Sequence, residues 1–227
     1  AIVQPIYYLY DNSYVADTLK KYPGKFAAIG ILDRHAPDTP EELERLVKED
    51  GFSGLRMHLS RPDDPAEWAA PDQDPIWRKA EELGATFLSF GPAEKQPAIE
   101  PIVARFPGVK VVLDHIGGAP ADEEDPAPLL GHVLNLAQYP NVYVKFTPQG
   151  HKSQQDYPFR DTFSTFEKIY DAFGPQRLMW GTDFPHVLLD IGYIPALDLF
   201  REHMGFLNDD DKEWLFSKTA LSVWNFQ

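Results

Sequence analysis

The sequence contains no cysteine, and both basic residues and long apolar runs are scarce. Without cysteine there is no disulfide, no thiolate nucleophile and no sulfur-ligated metal, so any metal would need histidine and carboxylate ligands. No run approaches the ~18 apolar residues of a membrane span, and no signal peptide is visible at the start. The net charge of −14 argues against nucleic acid or an anionic membrane as partner. We therefore expect a cytoplasmic protein that acts on a small molecule.

What is present is typical of a globular α/β protein. The 227 residues are 43% hydrophobic and 25% charged, which suits one domain over residues 1–227. Seven apolar segments are each followed by a helical pattern at intervals of about 25–35 residues, which is the rhythm of a parallel sheet. A Gly-rich fingerprint and a Walker loop are both missing, which disfavours a nucleotide-binding fold. The predicted strands are 2–4, 26–32, 52–59, 85–90, 109–113, 142–146 and 178–180.

Several helix boundaries can be predicted from turn and cap residues. Thr39 and Glu42 have the spacing of a capping box, and the pattern from Asn208 to Asp211 predicts a cap for the last helix. Gly84 is expected to end the helix that precedes the fourth strand.

Two of the apolar segments run directly into acidic and histidine side chains. The segment 109–113 leads to Asp114 and His115, and the segment 178–180 leads to Asp183. Since parallel strands end at the same edge of a sheet, both should deliver their side chains to one site. The long loops 60–74 and 147–158 are expected at that edge, and the first of them is a candidate lid or pocket wall.

The sequences DHIGG at 114–118 and WGTDFP at 180–185 resemble the amidohydrolase superfamily. The resemblance is strongest to its amidohydrolase-2 branch, which contains 2-pyrone-4,6-dicarboxylate lactonase-like enzymes, sugar lactonases and, further off, aromatic-acid decarboxylases. GLR at 54–56, PGVKVVLDH at 107–115 and NVYVK at 141–145 extend it along almost the whole chain. The resemblance implies a (β/α)8 TIM barrel of which strands two to eight are present and the first βα unit is lacking.

Two departures from the family pattern concern the metal. The His-x-His pair that the family carries on strand one occurs nowhere in the sequence. The metal-dependent decarboxylases also place a histidine on strand five, where this chain has Leu88-Ser89-Phe90, and this favours the lactonase-like branch. A divalent metal, zinc or manganese, is implied only if a His-x-His pair comes from outside this chain.

We expect the 227 residues to be an N-terminally incomplete folding unit, with an upstream strand between the first and last strands.

The resemblance assigns roles to three residues. Asp183 matches the strand-eight aspartate that acts as general base or joins a metal; the alternative is an Asp that caps the turn before Pro185. His115 matches the strand-six histidine, which can polarise a carbonyl group or join the metal; the alternative is a buried histidine held by Asp114. Arg56 matches the strand-four arginine, suited to a substrate carboxylate, and a structural ion pair is the alternative.

Other polar residues are weaker candidates. His58 should share a face with Arg56, and both are predicted to bind substrate. Arg61 and His186 are further substrate-binding candidates on loops, and His151 is a third loop candidate; for each of the three the alternative is a surface residue. Lys145 interrupts an apolar strand, so it faces either the barrel mouth or the solvent.

The function predicted from these residues is hydrolysis of a small lactone or related cyclic ester, with Asp183 activating water, His115 polarising the carbonyl group and Arg56 binding a carboxylate. One alternative is a divalent-metal-dependent decarboxylase of aromatic or related carboxylic acids. Another is a non-catalytic, decayed barrel. A homo-oligomer is compatible with the sequence.

Overall fold

The fold is built on one parallel sheet of seven strands. The computed structural model describes residues 1–60, 64–120, 129–224 and 226. All seven predicted strands are confirmed, most of them shorter than the apolar segments that contain them. They are β1 Ile2–Val3, β2 Ala28–Gly30, β3 Gly54–His58, β4 Thr86–Phe90, β5 Val111–Leu113, β6 Val142–Phe146 and β7 Leu178–Trp180.

The strands pair in the order of the sequence, β1 to β7, and every pairing is parallel. Helices connect them, as parallel strands require. In the described residues the α-helices are α1 Ser13–Lys21, α2 Thr39–Lys48, α3 Asp74–Leu83, α4 Glu100–Arg105, α5 Leu129–Asn135, α6 Phe163–Phe173, α7 Val187–Asp190, α8 Tyr193–Asp198, α9 Asp209–Glu213 and α10 Thr219–Val223.

The sheet separates two apolar clusters. The larger one packs helices against the outer face; there the ring of Trp77 on α3 stacks on Phe87 of β4, with centroids 4.1 Å apart. The smaller one lines the inner face and joins Met179 of β7 to Ile29 of β2 and Val112 of β5. Residues on such distant strands meet only if the sheet curves round on itself. The seven strands therefore form a partial barrel, in agreement with the (β/α)8 barrel that the family resemblance implies.

The carboxyl and amino ends of this barrel differ. The C-terminal Val223 and Trp224 join the inner cluster, and Thr86 at the start of β4 donates a hydrogen bond to the Val223 carbonyl at 3.5 Å. The amino ends of the strands are thus covered by apolar side chains. The carboxyl ends carry the polar residues considered below.

The sheet is open between β1 and β7. Within the described part of the chain Val3 pairs with Ile29 on β2, and no pairing joins it to Met179. These residues therefore do not close a seven-stranded barrel. Such closure would have left no room for the further strand that the resemblance implies. The further strand itself stays a prediction.

The predicted caps have mixed outcomes. Asn208 and Asp211 form the expected capping box, with bonds of 3.0 and 3.1 Å, and Gly84 ends α3 in the left-handed conformation. The capping box at Thr39 is wrong. The Glu42 amide donates to the Asp38 carbonyl at 2.9 Å and not to the Thr39 hydroxyl, which itself donates to the Ala36 carbonyl at 2.8 Å. Among the described residues, every helix is too short or too polar to cross a membrane.

Candidate active site

The inner face of β3 brings Arg56 and His58 to the carboxyl edge of the sheet. Side chains alternate along a strand, so Leu55 and Met57 point outward into the helix-facing cluster while Arg56 and His58 point inward. The prediction that these two share a face is therefore confirmed. Trp68, in the loop after β3, is buried and donates from its indole nitrogen to the His58 carbonyl at 3.3 Å. The described part of that loop, residues 64–74, is thereby held against the end of β3, as expected for a wall of the site.

A strained turn follows β5. The Asp114 amide donates to the Ser89 carbonyl on β4 at 2.8 Å, which continues the sheet by one residue. His115 and Ile116 then both adopt positive φ, at 50° and 52°. Such conformations cost of the order of 1–3 kcal/mol each for residues other than glycine, and a β-branched Ile is among the least suited. The turn fixes the direction in which the His115 ring leaves the strand.

Asp114 is the buried centre of an ion-pair cluster. Its side chain is 0% exposed; Arg56 Nη2 lies 2.7 Å from Oδ2, and Lys145 pairs with Oδ1. Burial alone would raise the pKa of Asp114, but the positive charges of Lys145 and Arg56 hold that pKa well below its usual range. Lys145 thus faces the barrel mouth, which is one of the two orientations that the sequence allowed.

His115 lies between two carboxylates and a hydroxyl group. Its Nε2 atom is 3.6 Å from Asp114 Oδ1 and 3.7 Å from Asp183 Oδ1, and its Nδ1 atom is 3.1 Å from Thr147 Oγ1. Burial lowers the pKa of His115; the two carboxylates oppose that shift, and Lys145 and Arg56 add to it. The ring is therefore held neutral over a wider pH range than a free histidine.

Asp183 is the most accessible acidic group of the site. It follows β7 by three residues, adopts a φ of 55°, and its side chain is 38% exposed. The Val187 amide of α7 donates to its backbone carbonyl at 3.1 Å, which anchors the turn. A carboxylate that is open to water and 3.7 Å from an imidazole nitrogen can exchange protons with a molecule bound beside the two groups.

The aromatic ring of Phe90 forms an apolar wall beside these charges. Its centroid is 4.5 Å from the Arg56 guanidinium carbon, and 5.3 and 5.6 Å from the rings of His58 and His115. Arg56 Nε is buried and has no hydrogen-bond partner within the described residues. An unpaired buried donor is costly, so this N–H is suited to a ligand acceptor.

The structure does not bring every predicted residue together. His186 is exposed after the Asp183 turn, and His151 is exposed in the loop after β6. Arg61 lies outside the described residues. Thr147 and Gln149 were not predicted, although both follow β6 at the edge where polar side chains were expected.

The described residues do not by themselves form a metal site. No group of three or more metal-ligating side chains occurs in the described part of the chain. His115 and Asp183 would supply two donors, but the oxygens of Asp114 are already paired with Arg56 and Lys145. Those two cations would also repel a divalent ion. The donor set present here therefore does not fit zinc or manganese.

Two curated proteins that are similar to this chain both act on lactones. The chain is 24% identical over 188 residues to the L-fucono-1,5-lactonase of Burkholderia ambifaria, which is 81% of this chain and 63% of the relative. It is 25% identical over 179 residues to the 4-sulfomuconolactone hydrolase of Hydrogenophaga intermedia, which is 78% of this chain and 56% of the relative. The chain thus spans between about half and two thirds of the length of these relatives.

Solved structures share the fold. A Pseudomonas putida protein provisionally named a 2-pyrone-4,6-dicarboxylic acid hydrolase superposes with a TM-score of 0.81 at 22% identity, covering 97% of this chain and 80% of its own. An amidohydrolase from Burkholderia multivorans with bound zinc gives 0.80 at 23% identity, covering 93% and 78%. A dihydroxybenzoic acid decarboxylase from Polaromonas sp. JS666, with bound manganese, gives 0.70 at 18% identity, covering 93% and 73%.

The family model for amidohydrolases, Amidohydro_2, matches residues 1–226, which is nearly the whole chain. The resemblance read from the motifs around Asp114 and Asp183 is thereby confirmed, with lactonases among the relatives. The chain belongs to the amidohydrolase-2 family.

Proposed function

We propose that this chain carries the catalytic residues of a hydrolase that opens a small lactone or related cyclic ester bearing a carboxylate. The observation that supports this most directly is the placement of Asp183 Oδ1 3.7 Å from His115 Nε2 at the open carboxyl end of the barrel. A water-accessible base and an imidazole at this separation can contact neighbouring parts of one ester group, the base at the attacking water and the imidazole at the carbonyl oxygen.

In this reaction Asp183 accepts a proton from water while the water oxygen bonds to the lactone carbonyl carbon. The electron pair of the C=O bond moves to the carbonyl oxygen, and His115 stabilises the resulting oxyanion. When the oxyanion collapses, the ring C–O bond breaks and the proton on Asp183 passes to the departing alkoxide. Lactone and water thus give one hydroxy acid, and Asp183 returns to the carboxylate form.

Arg56 binds the substrate carboxylate in this proposal, while it also pairs with Asp114. One nitrogen, Nη2, is engaged with Asp114 Oδ2 at 2.7 Å, and Nε–H is buried without a partner in the described residues. An arginine can serve both groups because its donors point along separate edges of one plane. His58, on the same face of β3, lines the carboxylate-binding side of the site with Arg56. The Phe90 ring packs against the planar ester group of the substrate.

The lactonases among the relatives support the choice of substrate class. The proposal needs no step through a metal, because the described donors do not fit one. Zinc and manganese in the related structures belong to those proteins.

A panel assay tests the proposal. Sugar-acid lactones and carboxylate-bearing pyrones would be supplied to the purified protein, and ring opening would be followed by proton release and NMR. Asp183→Asn should lower turnover by at least ~10²-fold, the scale of a lost general base, without loss of folding. Asp190→Asn, an exposed acid on α7, is the matched control and should retain activity.

The outcomes separate the alternatives. Ring opening that persists after chelation and fails in Asp183→Asn supports the proposal. Release of carbon dioxide from an aromatic hydroxy acid only when manganese or zinc is added would favour the decarboxylase. Full activity of Asp183→Asn would refute the role of the base. The absence of any turnover over the whole panel would favour the non-catalytic barrel.

A further inference from the structure

Two buried polar residues lie behind His115, on the side away from Asp183. Thr147 and Gln149 follow β6 and are both fully buried. Thr147 Oγ1 is 3.1 Å from His115 Nδ1, and Gln149 Nε2 is 3.0 Å from the same Oγ1. The Lys152 amide donates to the Gln149 carbonyl at 2.9 Å, which holds the backbone of this segment in a turn.

The orientation of the Gln149 amide follows from its second contact. Nε2 also lies 3.1 Å from the backbone carbonyl oxygen of Thr147, and a carbonyl oxygen can only accept. The atom facing it is therefore the NH2 group, because the amide oxygen would be repelled there. Gln149 thus donates to Thr147 Oγ1 as well. The opposite end of the amide, Oε1, has no partner within the described residues.

The hydroxyl proton of Thr147 then has one acceptor. In the described part of the structure, Oγ1 contacts Gln149 Nε2 and His115 Nδ1, and the first of these is a donor. A buried hydroxyl group that does not donate loses free energy, so the proton points to His115 Nδ1. A nitrogen that accepts carries no proton, and in the neutral ring the proton must be on Nε2.

We infer that Thr147 and Gln149 are positioning residues that hold neutral His115 in the tautomer with its proton on Nε2. Nε2 faces the site, where it lies 3.7 Å from Asp183 Oδ1. His115 is then a hydrogen-bond donor, so in the proposed function, on which this consequence rests, it stabilises the oxyanion and leaves proton removal to Asp183. The lowered pKa of His115 is in keeping with a neutral ring.

The tautomer can be observed directly, without turnover. Protein labelled with 15N at histidine would be measured by long-range 1H–15N NMR at a pH where the ring is neutral, with the His115 signals identified by their loss in His115→Gln. The expected wild-type pattern is a protonated Nε2 and an unprotonated Nδ1. Thr147→Val and Gln149→Met should each increase the Nδ1-protonated form, whereas Thr147→Ser should keep the wild-type pattern.

Thr86→Val is the matched control, because it removes the same hydroxyl group from a buried threonine at the opposite end of the sheet. It should leave the His115 signals unchanged. On a lactone found by the panel assay, Thr147→Val should lower kcat about 10- to 100-fold with little change in KM, the usual scale for a lost orienting partner. Thr147→Ser should recover most of that loss.

The result that overturns the inference is an Nδ1-protonated His115 in the wild type, or an unchanged tautomer ratio in both Thr147→Val and Gln149→Met. If Thr147→Val does not fold, the wild-type spectrum and the Gln149→Met spectrum still test the inference. The expected tautomer together with no lactone turnover would support the inference about Thr147 and Gln149 while rejecting the proposed function. The two hypotheses therefore fail separately.

Discussion

Gly181 leaves open the space that the side chain of Lys145 fills. A Cβ atom on Gly181 would lie 2.7 Å from Lys145 Cδ and 3.0 Å from Cε. Gly181 follows β7 directly, and Lys145 lies on the neighbouring strand β6. Because Lys145 crosses this point to reach Asp114, the missing side chain of Gly181 is a condition for the buried ion pair.

Gly181→Ala is therefore expected to lower kcat/KM by about 10- to 100-fold, the scale of a displacement near 1 Å in a catalytic site. Lys145 would have to move, and Asp114 and His115 with it. The backbone at Gly181 is not in the left-handed region, so the effect would come from contact rather than from φ. Gly205→Ala, which meets no atom within 4 Å, is the control for kinetics measured on the same lactone. Equal losses in both variants would contradict the explanation.

Removing Lys145 should destabilise the protein through Asp114. Lys145→Met leaves a fully buried carboxylate with Arg56 as its closest cation, and breaking a buried pair costs about 3–5 kcal/mol. Urea unfolding would measure this loss. The exposed Lys168→Met on α6 should stay within about 0.5 kcal/mol of wild type.

The double variant Asp114→Asn with Lys145→Met sharpens this test. If the ion pair is the cause, the two substitutions together should cost clearly less than the sum of the single losses, because the second removes the unpaired charge that the first creates. Additive losses would mean that packing, not the pairing of charges, carries the effect.

Much of the fold could be predicted because it depends on local pattern. Strands buried on both faces are continuous apolar runs, and alternation along β3 was enough to place Arg56 and His58 on one face. The partner of Arg56 could not be predicted: Asp114 is 58 residues away, and an arginine at a strand end is equally suited to a substrate. The positive φ of Asp183 and the contact of Thr147 with His115 could not be predicted either. Both depend on loop conformation, and loops have no periodic sequence pattern from which a conformation follows.

Stability should depend on pH through His115. Burial lowers its pKa in the folded protein, so below the unfolded value of about 6.5 the unfolded chain binds more protons than the folded one. Stability must therefore fall as the pH falls through that window. Urea midpoints at pH 7 and pH 5.5 should differ less in His115→Gln than in wild type. His186→Gln, at an exposed position, should keep the wild-type difference; the same pH response in all three proteins would contradict this prediction.

Arg56→Lys should raise KM for a carboxylate-bearing lactone more than it lowers kcat. Lysine keeps the charge beside Asp114 but loses the Nε–H donor and the planar fork, so ground-state binding of the carboxylate is weakened first. The same lactone with its carboxylate esterified is the control substrate, because its KM should change little on substitution. Arg78→Lys, an exposed arginine on α3, is the control variant. If KM rises equally for the acid and the ester, Arg56 acts through Asp114 alone, and the structural ion pair is its whole role.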